Sequence, residues 1–115
     1  MRRHHISIKN AWNGIIWSFH TQPNFKIHIT CATIAILLGV FLHISHVEMA
    51  IIILTIVFGI GVEMVNTAIE AMTDLITTEW RTEAKIAKDV AAGMMLLTAI
   101  GTVIVALFIF YPRIF

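Results

Sequence analysis

Charge is what this sequence has least of. Asp, Glu, Lys and Arg together make up 13% of its 115 residues, against 58% hydrophobic ones. A soluble domain of this length has a large surface for its volume and must cover it with polar groups, so a water-soluble fold is excluded. The few charges nearly cancel: eight basic and seven acidic side chains leave +1 with the histidines neutral, which gives no case for nucleic-acid binding. Cysteine occurs once, so no internal disulfide is available; Cys31, inside an apolar run, reads as a small hydrophobe. The glycine-rich loop of a P-loop nucleotide site is missing. So are a continuous signal-peptide core and a small-residue cleavage site, and the basic start Met1-Arg2-Arg3-His4-His5 is therefore expected to be retained. Strand-like alternation is also lacking, and lipid leaves open strand edges unsatisfied. The apolar runs are predicted to be helices.

Three such runs are present, at residues 27–44, 49–76 and 90–111. A spanning helix needs about 20 mainly apolar residues. The third run meets that length and the first falls slightly short. The second, free of charge over residues 49–62, reaches it by carrying acidic residues toward its end. Ahead of them, residues 6–20 read as an amphipathic helix lying in the membrane interface. Ile8, Trp12, Ile15, Ile16 and Phe19 recur at helical spacing, with Lys9, Asn10, Asn13 and Ser18 largely elsewhere, and tryptophan suits the headgroup region. Thr21-Gln22-Pro23-Asn24 reads as the turn into the first span, with Pro23 at a helix start. Arg2, Arg3, Lys9 and Lys26 precede the first span, the connection at residues 43–48 has no Lys or Arg, and Arg81, Lys85 and Lys88 lie between the second and third spans. The positive-inside rule then puts the N-terminus and the second loop in the cytoplasm, where ATP is. The expected architecture is an all-α membrane protein of one domain, residues 1–115, with three spans behind an interfacial helix.

The chemistry concentrates at the end of the second run, in Glu63-Met64-Val65-Asn66-Thr67-Ala68-Ile69-Glu70-Ala71-Met72-Thr73-Asp74. Glu63, Asn66, Glu70 and Asp74 are three, four and four apart, which aligns them on one helix face over a rise of about 16 Å. Carboxylates at membrane depth cost about 2.5–3.5 kcal/mol each on insertion scales and mark function by default. Three readings compete: polar contacts between helices, a proton or cation relay, and a metal–nucleotide site. The next loop favours the last. Ala84-Lys85-Ile86-Ala87-Lys88-Asp89-Val90-Ala91-Ala92-Gly93 brings cations and a carboxylate to the mouth of the third span. Phosphoryl transfer needs carboxylates for Mg²⁺, cations for phosphate charge and a base aimed at the acceptor hydroxyl.

These residues carry a resemblance. Glu63-Met64-Val65-Asn66-Thr67-Ala68-Ile69-Glu70 followed by Ala87-Lys88-Asp89 resembles the signature of the small bacterial membrane kinases, the diacylglycerol kinase and undecaprenol kinase family. The likeness extends over nearly the whole chain, through Trp12, Gly14 and Asn24-Phe25-Lys26-Ile27-His28. Ala91-Ala92-Gly93 looks closer to the undecaprenol kinase branch of Gram-positive bacteria. The resemblance implies an ATP- and Mg²⁺-dependent lipid kinase of the bacterial cell membrane, working as a homotrimer with active sites shared between chains. It implies Glu63 as the general base toward the lipid hydroxyl, Asn66 as a positioning group and Glu70 as the metal ligand. It places Arg3, Glu70, Asp74, Glu79, Arg81, Lys88 and Asp89 at the nucleotide, and Trp12 and Asn24 with Glu63 at the lipid substrate. Gln22 stands where the family commonly has a second metal-binding glutamate. An uncharged amide oxygen there implies a weaker Mg²⁺ site.

Undecaprenol and diacylglycerol each bring a hydroxyl on an apolar body, and undecaprenol is the expected acceptor. A small cation or proton-coupled transporter and a noncatalytic membrane subunit are the rival classes. The histidines His4, His5, His20, His28, His43 and His46 fall at different expected depths, and no pair of them is expected beside the acidic stripe. Met64, Met72, Met94 and Met95 are expected to fill helix contacts or to line a lipid groove. Gly59, Gly61, Gly93 and Gly101 are expected to permit close helix approach.

Overall fold

The computed structural model describes residues 7–115, so Arg3, His4, His5 and Ile6 lie outside it. Four helices follow in order: α1 (Ile8–Thr21), α2 (Pro23–Phe41), α3 (His46–Ile76) and α4 (Thr82–Ile114). α2, α3 and α4 are each long and apolar enough to cross a membrane. The all-α architecture with three spans behind a shorter helix is therefore the observed one.

The helices are longer than the apolar runs. α3 has 31 residues and α4 has 33, about 46 and 50 Å at 1.5 Å per residue, against a hydrocarbon core of about 30 Å. α2 starts at Pro23 rather than residue 27, α3 at His46 rather than 49, and α4 at Thr82 rather than 90. The reason is local. Pro23 occupies a first-turn position, where a missing N–H costs nothing. Ser45 and Glu48 close a capping box, each side chain taking the other's backbone N–H at 3.1 and 2.9 Å, which satisfies two donors at the helix start. Lys85 and Asp89 pair one turn apart at 2.5 Å, supporting a helical turn in polar surroundings. α4 also continues past Tyr111 through Pro112.

The turn expected at residues 21–24 shrinks to a single residue. Gln22 ends α1 with its N–H donating to the Ser18 carbonyl at 2.9 Å, and its own carbonyl accepts from Phe25 at 3.0 Å. Asn24 thus belongs to the first turn of α2. The elbow is held by Phe25, buried and edge-on to Phe19 with centroids 6.3 Å apart, and by buried Ser18. The remaining apolar positions of α1, including Ile8, Trp12, Ile15 and Ile16, are exposed, as an interfacial helix requires.

Packing is uneven along the bundle. α3 and α4 form an antiparallel pair, α2 packs on α3, and α1 contacts α2. The buried cluster, Ile44, Ile52, Ile109 and Phe110 with Leu38, Met49 and Val105 around it, lies at the end where α2 turns into α3. Arg113, in the last turn of α4, pairs with Glu48 at the start of α3 and locks that end. His43 makes the tight connection in a left-handed conformation, φ 55°. Elsewhere the spans are bare: at most 17% of the apolar window of any span is buried.

Glycine enters the packing at one place, and not where the sequence pointed. A Cβ on Gly39 would lie 2.8 Å from Ile44 Cδ1 and 3.1 Å from Met49 Cε, whereas Gly59, Gly61, Gly93 and Gly101 have nothing within 4 Å. Their faces have no neighbour within one chain. Gly39→Leu is expected to lower stability by about 1–3 kcal/mol through overpacking. Thermal unfolding in detergent micelles measures this; an unchanged midpoint would show that the cluster yields.

Candidate functional site

The polar residues of α3 sit at the end of the bundle opposite the buried cluster. Glu63 is in the middle of this helix and only 3% exposed. Its Oε1 is buried with no hydrogen-bond partner, and so is Oδ1 of Asn66, one turn on. Two adjacent orphaned acceptors are unusual, because buried polar groups are almost always satisfied. Neighbouring Thr67 and Thr73 show the ordinary solution, donating to carbonyls one turn back at 3.1 and 2.7 Å. Glu70 and Asp74 continue the same face and are exposed.

Opposite Glu63 stands His28 of α2. Its Nε2 is 3.7 Å from Glu63 Oε1, inside ion-pair range and outside hydrogen-bonding distance. One histidine thus approaches the acidic stripe, and no pair does among the described residues. The contact was invisible in the sequence because its partners are 35 positions apart. What was legible is the helical step from Phe25 to His28, which puts both on the inner side of α2.

Beyond the stripe the charges pair. Lys88 of α4 reaches across to Asp74 of α3, Nζ to Oδ1 at 2.7 Å, and also lies in the field of Glu70. Asp89 is engaged by Lys85, and Glu79 by Arg81 at 3.2 Å. All these groups are at least 42% exposed at the side chain. Exposed pairs of this kind contribute little to stability and can be exchanged cheaply for another charged partner. Arg81 also lines a cleft of about 340 Å³ with Thr73, Thr77, Glu83 and Ala87. Thr77 and Glu83 had no signal in the sequence beyond their place in the loop.

A second cavity is apolar. Between α2, α3 and α4 a groove of about 380 Å³ is lined by Ile27, His28, Cys31, Gly59, Val62 and Met95 among others. Glu63 is not itself in the lining, which reaches Val62, the residue before it, and His28, whose Nε2 is 3.7 Å from Glu63 Oε1. Met95 takes the lining role expected of it, while Met94 lines a separate depression between α3 and α4.

Some sequence-proposed residues are not brought together. Gln22 is half-buried at the elbow, its Nε2 donating to Thr21 Oγ1 at 3.3 Å. Trp12 is 60% exposed on α1, and Asn24 is exposed. Arg3 lies outside the described residues. Among the described residues no three His, Cys, Asp or Glu side chains come together as a metal cluster. A hard cation such as Mg²⁺ does not need one, because it keeps waters and takes one or two carboxylates together with phosphate oxygens. The donors on the stripe are all oxygens, and two of them are unsatisfied, so this set fits such an ion.

Residues 9–110 match the family described as prokaryotic diacylglycerol kinase. The chain belongs to that family. It is 40% identical over 101 residues to a diacylglycerol kinase of Synechocystis, covering 87% of this chain and 58% of that protein. It is 36% identical over 113 residues to the undecaprenol kinase of Bacillus subtilis, covering 98% and 92%. With the diacylglycerol kinase of Escherichia coli it shares 24% over 94 residues, 82% and 77% of the two chains. The family is one of lipid kinases, and with its three apolar helices the chain is a multi-pass membrane protein.

Glu63→Gln is expected to raise thermal stability in micelles by about 1–3 kcal/mol, since an amide is cheaper to bury than an unpartnered carboxylate. A lowered unfolding midpoint would show that the carboxylate is satisfied in the folded chain.

Proposed function

We propose that this chain phosphorylates a membrane lipid alcohol with ATP and Mg²⁺, and that the acceptor is undecaprenol. The observation that carries the reading is the Glu63 carboxylate, buried and unpartnered where an apolar groove ends. A lipid tail in that groove brings its hydroxyl to the carboxylate. Undecaprenol is favoured because the likeness to the Bacillus subtilis undecaprenol kinase covers almost the full length of both chains. Diacylglycerol is the second reading, supported by the higher identity to the Synechocystis diacylglycerol kinase, of which the chain spans 58%.

The hydroxyl oxygen attacks the γ-phosphorus of ATP while Glu63 accepts its proton. The bond from that phosphorus to the bridging oxygen breaks in line, and ADP leaves with the oxygen. Transfer is direct in this reading, with the lipid hydroxyl as the nucleophile and no phosphoenzyme. Asn66, with its free amide oxygen, orients the reacting groups. Glu70 would hold Mg²⁺, with Gln22 contributed from a neighbouring chain of the trimer, since within one chain Gln22 sits at the α1–α2 elbow away from Glu70; the ion supplies neutralisation of phosphate charge when bound. Lys88 exchanges Asp74 for a phosphate oxygen, a change between exposed partners that costs little. Asp74, Glu79, Arg81 and Asp89 complete the nucleotide side, with Arg3 from the N-terminus. Trp12 and Asn24 border the lipid at the interface.

The working unit in this reading is a homotrimer in the bacterial cell membrane. Support comes from the bare faces around Gly61 and Gly93, from the mostly unburied spans, and from a polar stripe that one chain leaves half-enclosed. The N-terminus and the α3–α4 connection face the cytoplasm, following the distribution of Lys and Arg.

In mixed micelles with labelled ATP, Glu63→Gln is expected to lower kcat by about 10²–10⁴-fold, the range for loss of a general base, while ATP binding is kept. Retained turnover would remove Glu63 from the mechanism. Gln22→Glu is expected to lower the Mg²⁺ concentration needed for half-maximal activity, because it adds a charge to the metal site. An unchanged Mg²⁺ dependence would take residue 22 out of that site.

A further inference from the structure

The base is matched by one polar group from another helix, and nothing in the reaction as described uses it. His28 Nε2 is 3.7 Å from the Oε1 of Glu63 that lacks a partner. Among the described residues no other carboxylate lies within 4 Å of a His28 ring nitrogen, and no other cation lies that close to Glu63. The rest of the groove around His28 is apolar or weakly polar: Ile27, Cys31, Ala32, Val62, Met95 and Thr98.

We propose that His28 is a positioning residue for Glu63: its Nε2–H donates to Oε1 and holds the other carboxylate oxygen toward the acceptor hydroxyl. The proposal deepens the kinase reading and rests on it. The gap closes with a movement of roughly 0.7 Å to a normal N–H···O distance of about 3.0 Å. Such contacts are commonly loose before substrate binds and tighten in the complex. His28 is placed to make this adjustment. It lies one helical step beyond Phe25, buried at 3% in the α1–α2 elbow, so its backbone is anchored. Its side chain is 38% exposed on the groove side and free to turn. A lipid tail filling the groove covers that exposed side and excludes water from the pair, which strengthens the bond. The same event that delivers the hydroxyl thus fixes the carboxylate that must accept its proton.

The protein labelled with ¹⁵N in its histidine rings and held in micelles gives a readout independent of turnover. The His28 ring signal, assigned by its loss in His28→Gln, is expected to move in Glu63→Gln and to stay in place in Glu70→Gln. A signal that ignores Glu63→Gln, or moves equally in both variants, overturns the contact. In the kinase assay, His28→Ala is expected to lower kcat about tenfold to a hundredfold, the scale of a misplaced catalytic group, with KM for ATP within about twofold. His28→Gln is expected to recover most of that loss, since its amide N–H takes the place of Nε2–H. Wild-type kcat in His28→Ala, or no recovery in His28→Gln, overturns the positioning role. A wild-type protein inactive toward every lipid alcohol overturns the kinase reading itself, and the ring signal then still decides whether the two side chains touch.

Discussion

Lipid offers no partner to a carboxylate, and a protein that keeps one at membrane depth has to build its surroundings from its own helices. Glu63 is that carboxylate. α3 carries it on the side facing His28 of α2, where it is 3% exposed and one of its oxygens has no hydrogen-bond partner. A charge in such a place costs free energy unless it is paired, and His28, 3.7 Å from Oε1, is the one ionisable group of another helix within that reach among the described residues. The constraint explains why the polar groups occupy one face. Polar side chains elsewhere in the spans need their own compensation, as Thr55 and Thr102 find by bonding carbonyls of their own helix.

The two ends of the bundle accordingly do different things. At one, Ile44, Ile52, Ile109 and Phe110 pack beneath a capping box, and Glu48 joins α3 to Arg113 of α4. At the other, contacts are sparse, the ion pairs are exposed, and a groove stays open between three helices. Regions with few buried contacts and exposed polar bonds open at low free energy. That suits the proposed site, which in this reading admits a lipid from the membrane and a nucleotide from water. Fixing the helices at the far end lets the near end adjust while the register of the Glu63–Asp74 face is kept by α3 itself.

Much of this could be read from the residues, for physical reasons that also mark the limits. Helical spacing fixed the shared face of Glu63, Asn66, Glu70 and Asp74, because one continuous helix leaves no freedom in that relation. The return of a cation to the mouth of the third span is legible in Lys85 and Lys88, while the pairing of Lys88 with Asp74 depends on how α3 and α4 meet. The apolar runs begin later than α2, α3 and α4 do, and the first overruns the end of α2 at Phe41, because such runs report the hydrocarbon, whereas Pro23, the Ser45–Glu48 box and the Lys85–Asp89 pair start helices in polar surroundings. His28 was missed since its role depends on how α2 packs against α3. The same holds for the glycines: within one chain only Gly39 has a neighbour where a Cβ would stand. Gln22 was found by its departure from a pattern, and its side chain sits at the elbow rather than against Glu70.

The central claim is that this buried stripe transfers phosphate to a lipid hydroxyl. Its most direct test is transfer from labelled ATP by the purified protein in mixed micelles, with undecaprenol and diacylglycerol offered together over a series of Mg²⁺ concentrations. The account predicts labelled undecaprenyl phosphate as the main product, with a Mg²⁺ dependence. Label in neither lipid at any Mg²⁺ concentration, from protein that remains folded, would contradict it.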